Sequence, residues 1–164
     1  MHHHFEDFPA GAAFDLGHEL LTAADITGYA RRYDPMPFHL DEAAARHSPF
    51  GGLVASGWHT GAVVLGRFVR TLLARSACQG SYGMDEVRFL HPVRPGDELS
   101  ARAEVESAQP HAKKPHLGVV SFLLTATNQD RTPVFRMRTR LLFTRNSATA
   151  TGLAGADGGR EVTA

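Results

Sequence analysis

The sequence predicts an α+β domain in which an antiparallel sheet is covered by one long buried helix. Three observations carry this prediction. Between Gly57 and Ala74 apolar residues recur at helical spacing, past Gly80 the apolar period changes from about 3.6 to about 2, and the alternating segments are separated by turn-forming clusters. A sheet with one apolar face needs a cover, and the long helix supplies it.

Taken in order, Phe14 to Leu21 is strand-like. Thr22-Ala23-Ala24-Asp25 then reads as a capping-box start, because Thr22 can accept a backbone N–H and Asp25 favours the positive helix end; a helix to about Arg32 follows. Tyr33-Asp34-Pro35-Met36-Pro37-Phe38-His39 reads as a rigid loop, since each proline lacks an N–H and disfavours helical geometry in the residue before it. Asp41 suits the N-cap of a short helix through Arg46, and Ser48-Pro49-Phe50-Gly51-Gly52 is irregular again. Ser56 is a good N-cap for the central helix, predicted over 57–74 and roughly 27 Å long at about 1.5 Å per residue. Trp58, Ala62, Leu65, Val69 and Leu72 mark its apolar stripe, widened almost all round by Ala55, Val63, Val64, Phe68 and Leu73.

Strands are predicted near 82–90, 99–106, 117–127 and 135–143, joined through turns at Pro95-Gly96-Asp97 and Asn128-Gln129-Asp130 as an antiparallel meander. Arg136, Arg138 and Arg140 share one strand face and read as blunting a solvated or edge surface. From Asn146 the composition collapses to Ser, Thr, Ala and Gly, so 146–164 reads as a disordered tail. Residues 1–13 read as an N-terminal extension whose His2-His3-His4 run is either a tag scar or native, and 14–145 as the single domain.

The 164 residues suit one domain. Seventeen Lys and Arg balance seventeen Asp and Glu, which argues against a nucleic-acid or membrane-surface partner held by bulk charge. Cys78 is the sole cysteine, which excludes an internal disulfide and a cysteine zinc cluster and fits a reducing compartment. The N-terminus lacks the cationic start and apolar run of a signal peptide, and the cytoplasm is the expected location. The apolar run from Leu53 to Leu73 carries His59, Arg67 and Arg70, which would be costly in a bilayer. No His, Asp or Glu cluster has convincing metal-ligand spacing, so no metal is expected.

Chemistry concentrates between Tyr33 and Gly57. Asp34 and His39 lie five residues apart on a segment stiffened by Pro35 and Pro37, which fixes their relation before a substrate arrives. A carboxylate and an imidazole converging on one water can remove one proton and deliver another. The same residues also suit a turn cap and a helix cap, and spacing alone favours that second reading. Gly57 opens the central helix, where unpaired N–H groups favour developing negative charge and glycine permits close approach. It equally suits tight helix packing. His59, one turn on, reads as a packed or surface histidine before it reads as a pocket residue.

Asp34-Pro35-Met36-Pro37-Phe38-His39, followed by Gly52-Leu53-Val54-Ala55-Ser56-Gly57, resembles the hydratase-2 motif of MaoC-like dehydratases and (R)-specific enoyl-CoA hydratases. Val87-Arg88-Phe89-Leu90-His91-Pro92-Val93-Arg94-Pro95-Gly96-Asp97-Glu98-Leu99 looks like the same family's strand and turn after the long helix. The resemblance covers roughly residues 14–145. It implies a hot-dog fold, a sheet wrapped round one long helix, paired into a homodimer through continuous sheets. It further implies that Asp34 and His39 are the catalytic pair and that the Gly57 N–H meets a thioester carbonyl. Ser56, Trp58, Met36 and Phe38 complete the implied substrate-binding set. Two positions depart from the pattern: Met36 stands where asparagine is common, and Leu65 where some hydratases carry serine.

The expected activity is reversible hydration of a trans-2-enoyl thioester, with coenzyme A or an acyl carrier protein as carrier and no cofactor beyond it. Arg88, Arg94, Lys113 and Lys114 are candidate contacts for coenzyme A phosphates, although each alone also reads as a solvated charge. Two alternatives stay open. One is thioester hydrolysis, since a carboxylate can activate water against a carbonyl. The other is a non-catalytic acyl-thioester-binding subunit, suggested by Met36 and Leu65 in place of polar residues.

Overall fold

A computed structural model describes residues 2–146. The strands β3 (Glu98–Pro110), β4 (Leu117–Thr127) and β5 (Pro133–Thr144) form the antiparallel meander that their alternation predicts, with β4 buried at every second residue. The other two strands depart from a meander in chain order. β2 (Cys78–Phe89) pairs with β5, and β1 (Ala13–Leu20) lies beside β3, giving the order β1-β3-β4-β5-β2.

The reason lies in the segment after β2. Instead of reversing tightly, His91 to Asp97 crosses the end of the sheet with Val93 buried, and the Val93 carbonyl accepts the Ala55 N–H at 2.8 Å. Leu21 pairs with the Gly96 N–H (2.8 Å) and the Asp97 carbonyl (2.9 Å), so the Pro95-Gly96-Asp97 turn delivers the chain to the opposite half of the sheet. Gly96 adopts φ 90° there, a conformation that side chains with a Cβ resist.

The central helix α4 (Gly57–Thr71) lies against the sheet and ends in a 3₁₀ turn at Leu73–Arg75. Its buried face is rotated from the predicted one. Trp58 and Val69 are 58% and 41% exposed, whereas Val64 and Phe68 are fully buried and Leu72 nearly so. The helix is apolar almost all round, so periodicity could not single out a face. Phe68 meets Phe122 of β4 at 5.1 Å between ring centroids, and this contact selects the i, i+4 ridge that enters the core.

The segment ahead of β1 is packed onto the domain. Phe8 is fully buried, 4.5 Å from the Phe143 ring and 5.6 Å from Phe122. His3 donates its N–H to the Arg75 carbonyl at 2.8 Å and accepts the Ala77 N–H at 2.7 Å. The expected tail at 146–164 lies outside the described residues except for Asn146.

The mid-helix arginines have partners on β1. Arg67 Nε donates to the Leu16 carbonyl at 2.8 Å, and Arg67 and Arg70 both face Glu19, at 3.7 and 3.5 Å. Among the described residues no helix is long and apolar enough to cross a membrane. On the sheet's outer face the arginine row of β5 is neutralised: Arg136 pairs with Glu86 at 2.6 Å, Arg138 with Glu86 and with Glu106 (2.8 Å), and Arg140 with Asp85 (2.9 Å). The hydrogen bond from Arg136 holds the Glu86 carboxyl below its usual range.

Candidate active site

Helix α1 (Ala23–Tyr33) begins with the predicted capping box. Thr22 Oγ1 accepts the Asp25 N–H at 3.2 Å, and Asp25 Oδ2 accepts the Thr22 N–H at 2.9 Å. The helix ends at Asp34, whose N–H still reaches the Ala30 carbonyl at 3.0 Å while its φ and ψ, −152° and 72°, leave the helical region.

The segment expected to be a rigid loop contains a single helical turn, α2 (Pro37–Leu40). Pro37 occupies its first turn, where the missing N–H would have no partner in any case, so the proline starts this turn rather than preventing it. The turn points His39 inward, leaving it 6% exposed. Asp41 caps the next helix, α3 (Glu42–Arg46), by accepting the Ala44 N–H at 2.7 Å.

One backbone carbonyl then sets the chemistry of His39. The ring's Nδ1 lies 2.7 Å from the Val54 oxygen, and because a carbonyl can only accept, Nδ1 carries the hydrogen. In the neutral ring Nε2 is therefore the lone-pair nitrogen, and it faces Asp34 Oδ2 at 3.5 Å. The imidazole is nearly enclosed while the carboxylate is 31% exposed, so the pair spans the boundary between interior and water.

Gly57 completes the arrangement. Ser56 is buried, and its hydroxyl accepts the Trp58 N–H at 3.2 Å, which leaves the Gly57 N–H at the positive end of α4 without a capping partner among the described residues. A Cβ at position 57 would stand 2.6 Å from the Phe89 ring as it lies, so glycine suits the packing here as well as close approach by a ligand.

A cavity of about 350 Å³ opens here, with Phe38, His39, Gly57, Thr60, Phe89 and His91 in its wall. Asp34, Met36 and Ser56 do not line it, and Met36 is 46% exposed. Trp58 instead borders a neighbouring cavity of about 180 Å³ together with Tyr29, Leu65 and Met84.

The four candidate phosphate contacts are not brought together. Arg94 lies near the cavity and donates to the Phe50 carbonyl at 2.6 Å; Arg88 pairs with Glu86 at 3.5 Å. Lys113 and Lys114 sit in the β3–β4 hairpin, at the end of the sheet where α4 finishes. Among the described residues no group of three or more His, Cys, Asp or Glu could hold a metal ion.

Sequence reasoning missed three contributors. The Val54 carbonyl is a backbone group and leaves no side-chain signature. His91, whose Nδ1 is 2.7 Å from the Pro133 carbonyl, and Phe89 both lie in the segment after the long helix, but nothing local marks either as a cavity residue.

His59 is buried and borders neither cavity. Its ring stacks on Tyr29 at 4.6 Å and 9°, and Nδ1 has no hydrogen-bond partner among the described residues. Burial pushes its pKa below the usual histidine value, partly opposed by the Asp25 carboxylate. The unfolded chain, with a histidine pKa of about 6.5, therefore binds this proton more readily than the folded one. Stability from the neutral ring is fully present above that pH and is lost as pH falls through the lower folded value. Between about pH 7.5 and about pH 5.5 the melting temperature is expected to drop further in the wild type than in His59→Phe, as followed by circular dichroism. Equal drops would remove His59 from the acid limb.

A five-stranded antiparallel sheet packed on one long helix, with a cavity at the helix N-terminus, defines a hot-dog domain. Residues 10–127 match the family model described as MaoC like domain, and the chain belongs to that family. It is similar to the crystal structure of a MaoC-like dehydratase from Rhodospirillum rubrum, with TM-score 0.80 and 38% identity, covering 87% of this chain and 97% of that one. It is 30% identical over 148 residues to the uncharacterized protein YdeM of Bacillus subtilis, covering 85% of this chain and 98% of the relative. It is also 30% identical over 115 residues to a 3-hydroxybutyryl-CoA dehydratase of Methylorubrum extorquens, covering 70% of this chain and 71% of the relative.

Proposed function

We propose that this protein is a hydratase/dehydratase that interconverts a trans-2-enoyl-CoA and a 3-hydroxyacyl-CoA through Asp34 and His39. The observation that carries the proposal is His39, in the wall of a cavity it shares with Gly57, with its lone-pair nitrogen fixed by the Val54 carbonyl and 3.5 Å from the Asp34 carboxylate outside that wall. In the hydration direction Nε2 takes a proton from water as the water oxygen bonds to C3. The electrons of the C2–C3 double bond move toward the thioester oxygen, where the Gly57 N–H meets the developing negative charge. The imidazolium, stabilised by Asp34, then returns the proton to C2. One water is added, and both residues recover their starting states. The relative named as a 3-hydroxybutyryl-CoA dehydratase supports the carrier and the type of reaction. Coenzyme A enters as part of the substrate, and the scheme requires no further cofactor.

A homodimer belongs to the same reading. The outer edge of β2 is unpaired among the described residues, and Tyr82 and Met84 are exposed along it. Joining two copies through this edge would satisfy its backbone groups and cover those side chains.

Crotonyl-CoA and longer enoyl-CoAs provide the test, with loss of the conjugated thioester absorbance read beside a chromogenic assay for free thiol. Absorbance loss without thiol release is the expected result. Thiol appearing in step with substrate loss would reassign the protein to hydrolysis, and a flat trace with every enoyl-CoA would overturn turnover altogether.

A further inference from the structure

Two cavities flank the start of α4, and Phe89, in the wall of the first, packs against Trp58 and Phe135, in the wall of the second. Phe89, the last residue of β2, is paired across the sheet with Phe135 of β5. Both rings lie over α4 at glycines one turn apart: a Cβ on Gly57 would stand 2.6 Å from the Phe89 ring, and a Cβ on Gly61 3.2 Å from the Phe135 ring. The two rings differ in freedom. Phe135 is 1% exposed and fixed in the core, whereas Phe89 is 49% exposed, at a strand end, with the Trp58 ring edge-on at 5.6 Å. Phe89 borders the cavity that contains His39 and Gly57; Trp58, Phe135 and Val87 border the second, which continues to Leu65, Met84 and Met137.

We propose that Phe89 determines acyl-chain length, its ring closing the His39 cavity against the apolar cavity beyond it. The inference rests on the acyl-thioester reading above. With the ring over Gly57, an acyl group reacting beside His39 has about 350 Å³ to share with the thioester, which favours short chains. The second cavity, about 180 Å³ and lined by aliphatic, aromatic and thioether side chains, suits the distal methylenes of a longer chain. Those methylenes reach it once the ring is removed or swung outward. Phe89 touches no reacting atom in this scheme and acts through the space it occupies.

The test compares wild type, Phe89→Ala and Phe89→Leu in the full-length protein. Trp58 is the sole tryptophan and sits against both Phe89 and the second cavity, so its fluorescence reports binding of butyryl-CoA and octanoyl-CoA without requiring turnover. The octanoyl-to-butyryl affinity ratio is expected to rise at least about tenfold in Phe89→Ala and by less in Phe89→Leu, since each methylene admitted to an apolar pocket is worth roughly tenfold or more. A ratio unchanged in both variants, with native melting curves, would overturn the proposal. Turnover of enoyl-CoAs is scored separately. Wild type that binds acyl-CoA without hydrating enoyl-CoA would overturn the hydratase reading while the affinity ratio still decides the role of Phe89; failure of either acyl-CoA to bind any of the three proteins would overturn both.

Discussion

His39→Ala is expected to lower kcat for enoyl-CoA hydration by about 10²- to 10⁴-fold, the range over which a positioned acid–base group contributes. The substitution removes the nitrogen that accepts the water proton in the proposed scheme. It also leaves the Val54 carbonyl without its 2.7 Å donor, at a stability cost of about 1–3 kcal/mol, so melting must be recorded beside turnover. Asp34→Asn separates chemistry from folding. It keeps the shape and removes the charge that faces Nε2 at 3.5 Å, on a side chain that is partly solvated. Its kcat is expected to fall by a comparable factor with little change in melting temperature. Because the proposed scheme has the two residues act on one proton, the double variant should be barely worse than the poorer single one. Both single variants retaining turnover within about tenfold of wild type would exclude the pair from the chemistry.

Phe122→Ala is expected to have the largest effect on stability, a loss of about 3–5 kcal/mol. Phe122 lies in the middle of β4, fully buried, with Phe68 of α4 at 5.1 Å, Phe8 of the N-terminal segment at 5.6 Å and Phe143 of β5 at 6.2 Å. One ring thus joins helix, sheet and N-terminal segment. These neighbours cannot all collapse into the space it leaves, because the backbone ladders of β4 with β3 and β5 hold the strand in place. Against a typical total of about 5–15 kcal/mol the loss would consume much of the stability. Urea unfolding should show a lower midpoint at unchanged slope, and a loss under about 1 kcal/mol would mean that the aromatic cluster is not the centre of the core.

Local pattern was enough for the elements themselves. The capping box at Thr22 and Asp25, the Asp41 cap, the Ser56 cap and the alternation of β3, β4 and β5 each involve residues a few positions apart, and sequence spacing reports such interactions directly. The Asp34 and His39 candidates and the Gly57 candidate were legible for the same reason. Strand order was not, since adjacent period-2 segments look alike whether the chain turns back at once or crosses the sheet end, and only the Val93 and Leu21 contacts distinguish the two.

The sequence by itself therefore determined the inventory: one long apolar helix, strands past Gly80, and a carboxylate and an imidazole five residues apart ahead of a helix-opening glycine. Tertiary structure alone decided which face of α4 is buried, which nitrogen of His39 is free, and that Phe89 lies against Gly57 in the wall of the His39 cavity. Each of these depends on groups distant in sequence, the Val54 carbonyl for His39 and the Gly57 surface for Phe89, and a contact of that kind exists only once the chain has brought both partners to one place.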